Sequence, residues 1–168
     1  MKMSMYHASV PVLTRGLSNL AVILDKGAVH AEAKKIDPAV LVNSRLFLDM
    51  FPLARQVQIA SDMGKSCVAR LSGIEPPKYE DNEASFPELK ARIQKTLDYI
   101  KTFKPEQIDG SEQRDIVLKT PRGDMNFKGL SFLQSFVLPN LYFHITTAYG
   151  ILRHNGVELG KMDYIGKP

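Results

Sequence analysis

Residues 138–156 read LPNLYFHITTAYGILRHNG, and the chain just before them carries the same pattern. Leu130, Leu133, Val137, Leu141, His144, Ala148 and Ile151 recur at intervals of three and four, which puts them on approximately one face of a helix. All are apolar except His144. Pro139 lacks the amide hydrogen that would pair with the Ser135 carbonyl, so a kink or a division into two pieces is expected there. Arg153 and His154 suit the negative end of the helix dipole, and Gly156 suits a C-terminal cap.

Three more such stripes precede it. Met3, Tyr6, Val10, Leu13, Leu17, Leu20 and Leu24 mark a first long helix, with Pro11 expected to bend it or to set off a short first piece. Asp37-Pro38 reads as the start of a short helix. From Phe51-Pro52, with Asp49 as a candidate cap, Leu53, Val57, Ala60, Gly64, Cys67 and Leu71 form a second long stripe whose small residues admit a close neighbour. The prolines of GIEPPKYEDNE end it in what reads as a solvated surface connection, with Tyr79 able to meet another subunit. In SFPELKARIQKTLDYIKTF, Ser85 and Glu88 have the spacing of a capping box, Phe86, Leu89, Ile93, Leu97, Ile100 and Phe103 form the apolar stripe, and Lys90, Arg92, Lys95 and Lys101 are expected in solvent. Between this helix and the last, IVLKT, PRGD and MNF read as a small hairpin, or failing that an ordered loop. Four stripes call for an all-α antiparallel four-helix bundle, expected to be a single domain over residues 1–168. The tail after Gly156 is expected to be ordered where Val157, Leu159, Tyr164 or Ile165 return to the bundle, or to meet a second subunit.

Composition removes several function classes. Lys+Arg 22 against Asp+Glu 18 gives a net charge of +4, without a dense basic tract, so no nucleic-acid partner is expected. No apolar run reaches the roughly 20 residues of a membrane span, and the single Cys67 cannot form an intrachain disulfide, which together suggest a cytoplasmic protein with no membrane association. Cys67 lies on the small-residue face, where a buried thiol is more expected than a nucleophile. No phosphate-binding or dinucleotide glycine motif occurs.

Attention therefore falls on His144. A buried imidazole needs a partner, either a facing side chain or a carbonyl released near Pro139. If instead it lines an interhelical pocket, it can bind a small polar ligand or exchange a proton near neutral pH. Asn140 lies one turn before it. Gln56, Gln58 and Asp62 of the second long helix are candidates for the opposite wall, though both glutamines cannot point directly inward, and Tyr6 can close the pocket from the first helix. A metal centre needs several convergent ligands, but Asn140 and Ala148 stand four residues either side of His144, and His154 is about 15 Å along the helix. The residues thus predict no metal and no cofactor.

The blocks MYHASVPVLTRGLSNLAVILDKGAVHAEAKKIDP, DMFPLARQVQIASD and LPNLYFHITTAYGILRHNGVELGKMDY, in this order, resemble a bacterial family assigned to the DinB/YfiT-like helical-bundle superfamily. The resemblance covers nearly the whole chain and implies a four-helix fold and a homodimer. It also implies descent from metalloenzymes or thiol-dependent transferases that use one histidine of the second helix and an HxxxH pair in the last. His144 is similar to the first histidine of that pair; Ala148 occupies the second position, and no histidine lies between Phe51 and Asp62. The expected function is a DinB-like protein binding a small polar ligand around His144. The alternatives are a noncatalytic dimeric scaffold or stress-associated structural protein and, more remotely, a divergent metal-dependent or thiol-dependent transferase.

Overall fold

A computed structural model describes residues 4–167. Met3, included in the first stripe above, lies outside them. Four long helices carry the fold: α1 (Met5–Lys34), α3 (Leu53–Ser72), α4 (Phe86–Lys101) and α7 (Leu138–His154). The short α2 (Pro38–Val42) and α5 (Pro105–Ile108) follow α1 and α4, and α6 (Gly129–Ser131) and α8 (Lys161–Ile165) flank α7. Strands β1 (Asp115–Thr120) and β2 (Gly123–Lys128) form an antiparallel hairpin ahead of α6.

Neighbouring side chains give the directions. A Cβ on Gly16 would meet Leu141 and Ile145, and one on Gly27 would meet Leu152, so α1 and α7 run the same way. Ser61 bonds Thr96 and Gly64 faces Ile100, so α3 and α4 also run together. Asp25 pairs with Lys90 while Gly27 abuts Phe86, which opposes the two pairs. Because α3 and α4 are parallel, residues 73–85 must climb back the ~30 Å length of a 20-residue helix. An extended chain rising about 3.3 Å per residue covers that distance.

The core follows the sequence stripes. Leu13, Leu17, Leu20 and Leu24 of α1 are buried with Leu53, Val57, Ala60 and Leu71 of α3, Leu89, Ile93 and Ile100 of α4, and Leu141, Ala148 and Ile151 of α7. Gly64 allows the close approach expected of it, since a Cβ there would lie 2.8 Å from Leu17. Pro11 stands inside α1 rather than dividing it. The carbonyl it leaves unpaired, that of His7, lies in an exposed turn where water can replace the missing bond.

The break expected at Pro139 is present as a π-helical segment over Phe132–Val137, after which α7 begins. Asn140 Nδ2 donates to the Phe136 carbonyl at 2.6 Å. Phe132 and Phe136 stack there, and Phe127 of the hairpin packs against both. Ser85 caps α4 as expected by accepting from the Glu88 amide. The Glu88 carboxylate reaches back to the Ser85 hydroxyl and, one residue further than a capping box requires, to the Ala84 amide, which holds its pKa below the usual value. Asp49 does not cap α3, whose cap position is Pro52. The tail returns to the bundle through buried Val157 and Leu159, and through α8, where Arg15 Nε and Asn19 Nδ2 each donate to a backbone carbonyl. No helix of the described residues is long and apolar enough to cross a membrane.

Candidate functional site: the His144–Gln56 pair and its surroundings

His144 projects from α7 toward α3 and is 8% exposed. Its Nδ1 lies 2.7 Å from Gln56 Oε1. Gln56 Nε2 donates to the Phe51 carbonyl at 3.0 Å, which fixes the amide orientation and leaves Oε1 as the acceptor. The imidazole must then carry its proton on Nδ1. Nε2 keeps its lone pair, has no protein partner among the described residues and is not sealed from solvent. Burial, and after it the positive charge of Arg55, hold the His144 pKa below the usual histidine value. The ring is a neutral base with a defined tautomer.

Its surroundings are aromatic. Phe143 meets the imidazole edge-on, centroids 5.2 Å apart, and Arg55 lies 6.0 Å over the Phe51 ring. Phe143 is 57% exposed, Phe51 55%, Phe47 65% and Leu48 85%, leaving a run of apolar surface on the α2–α3 connection and α7. A Cβ on Gly150, which is on the same side of α7 as Phe143, would lie 3.5 Å from Leu46, so the connection passes over that side of α7.

Only part of the expected constellation assembles. Gln56 joins His144; Asn140 serves the π segment; and Tyr6, ten residues before the Gly16 contact with α7, sits about 15 Å down the bundle. There its amide donates to Asp109. The five cavities described for the molecule, of roughly 210 to 560 Å³, are lined by neither His144 nor Gln56.

Gln58 and Asp62 belong to a second polar cluster centred on Arg92, a residue expected in solvent. The Arg92 side chain is 2% exposed. Its guanidinium pairs with Asp62 at 2.8 Å, Asp81 at 3.0 Å and Glu83 at 2.9 Å, and donates to the Glu80 carbonyl at 2.9 Å. Lys65 also holds Asp62, Arg55 pairs with Asp81, and Gln58 bridges Arg55 to Glu83. Tyr79 lies among Lys65, Lys95 and Arg92, with the two ammonium groups within 4.4 Å of its ring centroid. Burial works to lower the Arg92 pKa, but the Glu83 hydrogen bond and the charges of Asp62, Glu83 and Asp81 outweigh it and raise the value. The connection read as solvated is thus a strap fastened across α3 and α4. Arg92 stands three residues after Leu89 and four before Thr96, a spacing that already placed it beside the buried stripe.

The metal implied by the superfamily does not fit these residues. Gln56 Oε1 is occupied by His144 itself, Ala148 is fully buried in the core, and no group of three His, Cys, Asp or Glu side chains among the described residues could hold an ion. The Cys67 thiol is buried, which drives its pKa upward and keeps it protonated.

The comparisons with known proteins agree with the fold. A family model described as a domain of unknown function, DUF1993, matches residues 5–165. The crystal structure of a DinB family member protein from Shewanella denitrificans is 46% identical, with 97% of this chain and 92% of that one covered and a TM-score of 0.89. No curated protein matches. The chain belongs to the DUF1993 family and, through its likeness to a DinB family member, takes its place in the DinB/YfiT-like superfamily.

Proposed function

We propose that the protein binds a small polar ligand at the His144–Gln56 pair, the ligand donating a hydrogen bond or a proton to His144 Nε2. The observation that supports this is the chain of bonds from the Phe51 carbonyl through Gln56 to Nδ1, which presets the tautomer and leaves one basic nitrogen unused. Because Nε2 is not sealed from solvent, a ligand can reach it without opening the core. Exposed Phe51 and Phe143 offer apolar contact to the body of such a ligand. Imidazole-selective ¹⁵N NMR tests the reading. In a screen of phenols and lactams, at least one compound is expected to move the Nε2 resonance and to lose its binding in His144→Gln. A screen in which Nε2 never responds sinks it.

A second reading is favoured by a different observation, the exposed Phe47, Leu48, Phe51 and Phe143. Their uncovered area, at 150–250 Å² for a whole aromatic side chain, comes to several hundred Å², approaching the ~800 Å² per partner of a stable interface. On this reading two copies meet there as a scaffold. Sedimentation should show a dimer that Phe47→Ser/Leu48→Ser converts to monomer, and a monomeric parent protein defeats it.

A further inference from the structure

At the far end of α3 from Gln56, about 21 Å away along the helix axis, a cleft of roughly 410 Å³ opens between the helix end and β1. Arg70, Gly73, Glu75, Arg114, Asp115 and Lys119 line it. Arg70 is fixed in place: its Nε donates to Ser66 Oγ at 3.2 Å and its Nη1 to the Val117 carbonyl at 3.3 Å. Arg114 is placed by a glycine. Gly73 has φ +85°, and a Cβ there would collide with Arg114 Nη1, so the guanidinium can rest on the turn in this position only because the side chain is missing.

The cations of the cleft outnumber their partners. Asp115 is engaged by Lys128 at 2.6 Å, and Glu75, with 87% of its side chain exposed, reaches Arg70 only at 3.5 Å. Lys119 stands opposite Asp124 in the hairpin register, yet among the described residues neither it nor Arg114 has a carboxylate oxygen within 4.0 Å. Basic residues at a helix C-terminus complement its dipole, which accounts for Arg70 and for the position of Arg114. It does not account for Lys119 on the strand, or for the cleft.

We propose that this cleft binds a small phosphate-bearing molecule, with Arg114 and Lys119 as its charge partners and Arg70 as a fixed wall. A guanidinium offers phosphate two parallel donors, and the volume falls in the range of small-molecule sites, leaving space for an organic group beside the oxyanion. Inorganic phosphate and a phosphate ester share this chemistry.

Titrating the intact ¹⁵N-labelled protein with inorganic phosphate, against chloride at matched ionic strength, tests the site. Saturable shifts are expected at the amides of Gly73, Arg114 and Lys119. Affinity should fall about ten-fold in Arg114→Met and in Lys119→Met and less in Arg114→Lys, which keeps the charge but loses the fork. Arg153→Met, on another helix end, should bind like the parent. Glycerol phosphate run in parallel separates the two sources: tighter binding than inorganic phosphate marks an ester, equal binding marks the free ion. Non-saturating shifts scattered over the surface overturn the proposal. So does a folded Lys119→Met variant that binds as tightly as the parent.

Discussion

The two buried polar clusters of this bundle both join α3 to a neighbouring helix, and they do so by opposite means. His144 and Gln56 are neutral, lie between α3 and α7, and use two hydrogen bonds with one nitrogen left over. The Arg92 cluster is ionic, lies between α3 and α4, and sets Arg92, Lys65 and Arg55 against Asp62, Asp81 and Glu83. One is a pair with a spare acceptor; the other is a closed set of charges that also holds the strap. A buried charge surrounded by opposite charges is a fastener even though Arg92 Nε itself has no hydrogen-bond partner among the described residues, whereas a neutral base with a lone pair open to solvent is available for chemistry. Arg92 should therefore govern stability and His144 should govern recognition.

Replacing Arg92 gives the largest expected effect. Arg92→Met leaves three carboxylates facing one another across α3 and the strap, and breaking a buried ion pair costs about 3–5 kcal/mol. The lower end applies here, because Asp62 and Asp81 are 29% and 39% exposed and keep water and their other cations. Urea denaturation should show the loss, and limited proteolysis should cut the variant first within residues 74–84. A variant as stable and as resistant as the parent would make the cluster ornamental and remove the contrast with His144.

The next effect belongs to the pair. Gln56→Leu strands the Nδ1 hydrogen of His144 and the Phe51 carbonyl, for a cost of about 1–3 kcal/mol. Removing both partners in Gln56→Leu/His144→Leu should cost less than the two single losses together, because no donor is left unpaired. A strictly additive cycle would mean that the 2.7 Å contact carries no energy.

Acidification separates the clusters further. Burial, then Arg55, lower the His144 pKa, so the unfolded chain binds the proton more readily than the folded one. The stabilisation is present above the unfolded histidine pKa of about 6.5 and is lost as pH falls below it. Urea midpoints should decline from about pH 7.5 to about pH 5.5, and His144→Leu should flatten that decline. A decline of equal slope in the variant would assign it to other groups.

How much of this was legible in the sequence divides along the same line. The four apolar stripes, the hairpin, the break at Pro139 and the Ser85–Glu88 cap rest on local periodicity and turn chemistry, which operate within a few residues, and all are present. His144 stood out because it interrupts a stripe. Its bond to Gln56 spans 88 positions, and of two nearby glutamines the sequence offered no means of choosing one. Gln56 faces α7 while Gln58 turns to the strap, because residues two apart on a helix point about 200° from one another, and only the placement of the neighbours decides which one meets His144. Arg92 was misread for a physical reason. Charge argues for solvent, and only a fold that brings Asp62 and the acids of the strap around the guanidinium reverses that argument.

The smallest expected effect makes the sharpest comparison, because it lies two residues from the largest on the same helix. Lys90, like Arg92, makes an ion pair to another element, contacting Asp25 of α1. The two side chains are 39% and 53% exposed, so water and salt screen their attraction and ordering two long side chains offsets much of the remainder. Lys90→Ala should change stability by no more than about 0.5 kcal/mol. Measured beside Arg92→Met in the same urea titration, it separates burial from the mere presence of an ion pair. If Lys90→Ala were as costly as Arg92→Met, the α1–α4 contact would depend on that pair, and enclosure would no longer explain why one basic residue of α4 is a fastener and its neighbour is not.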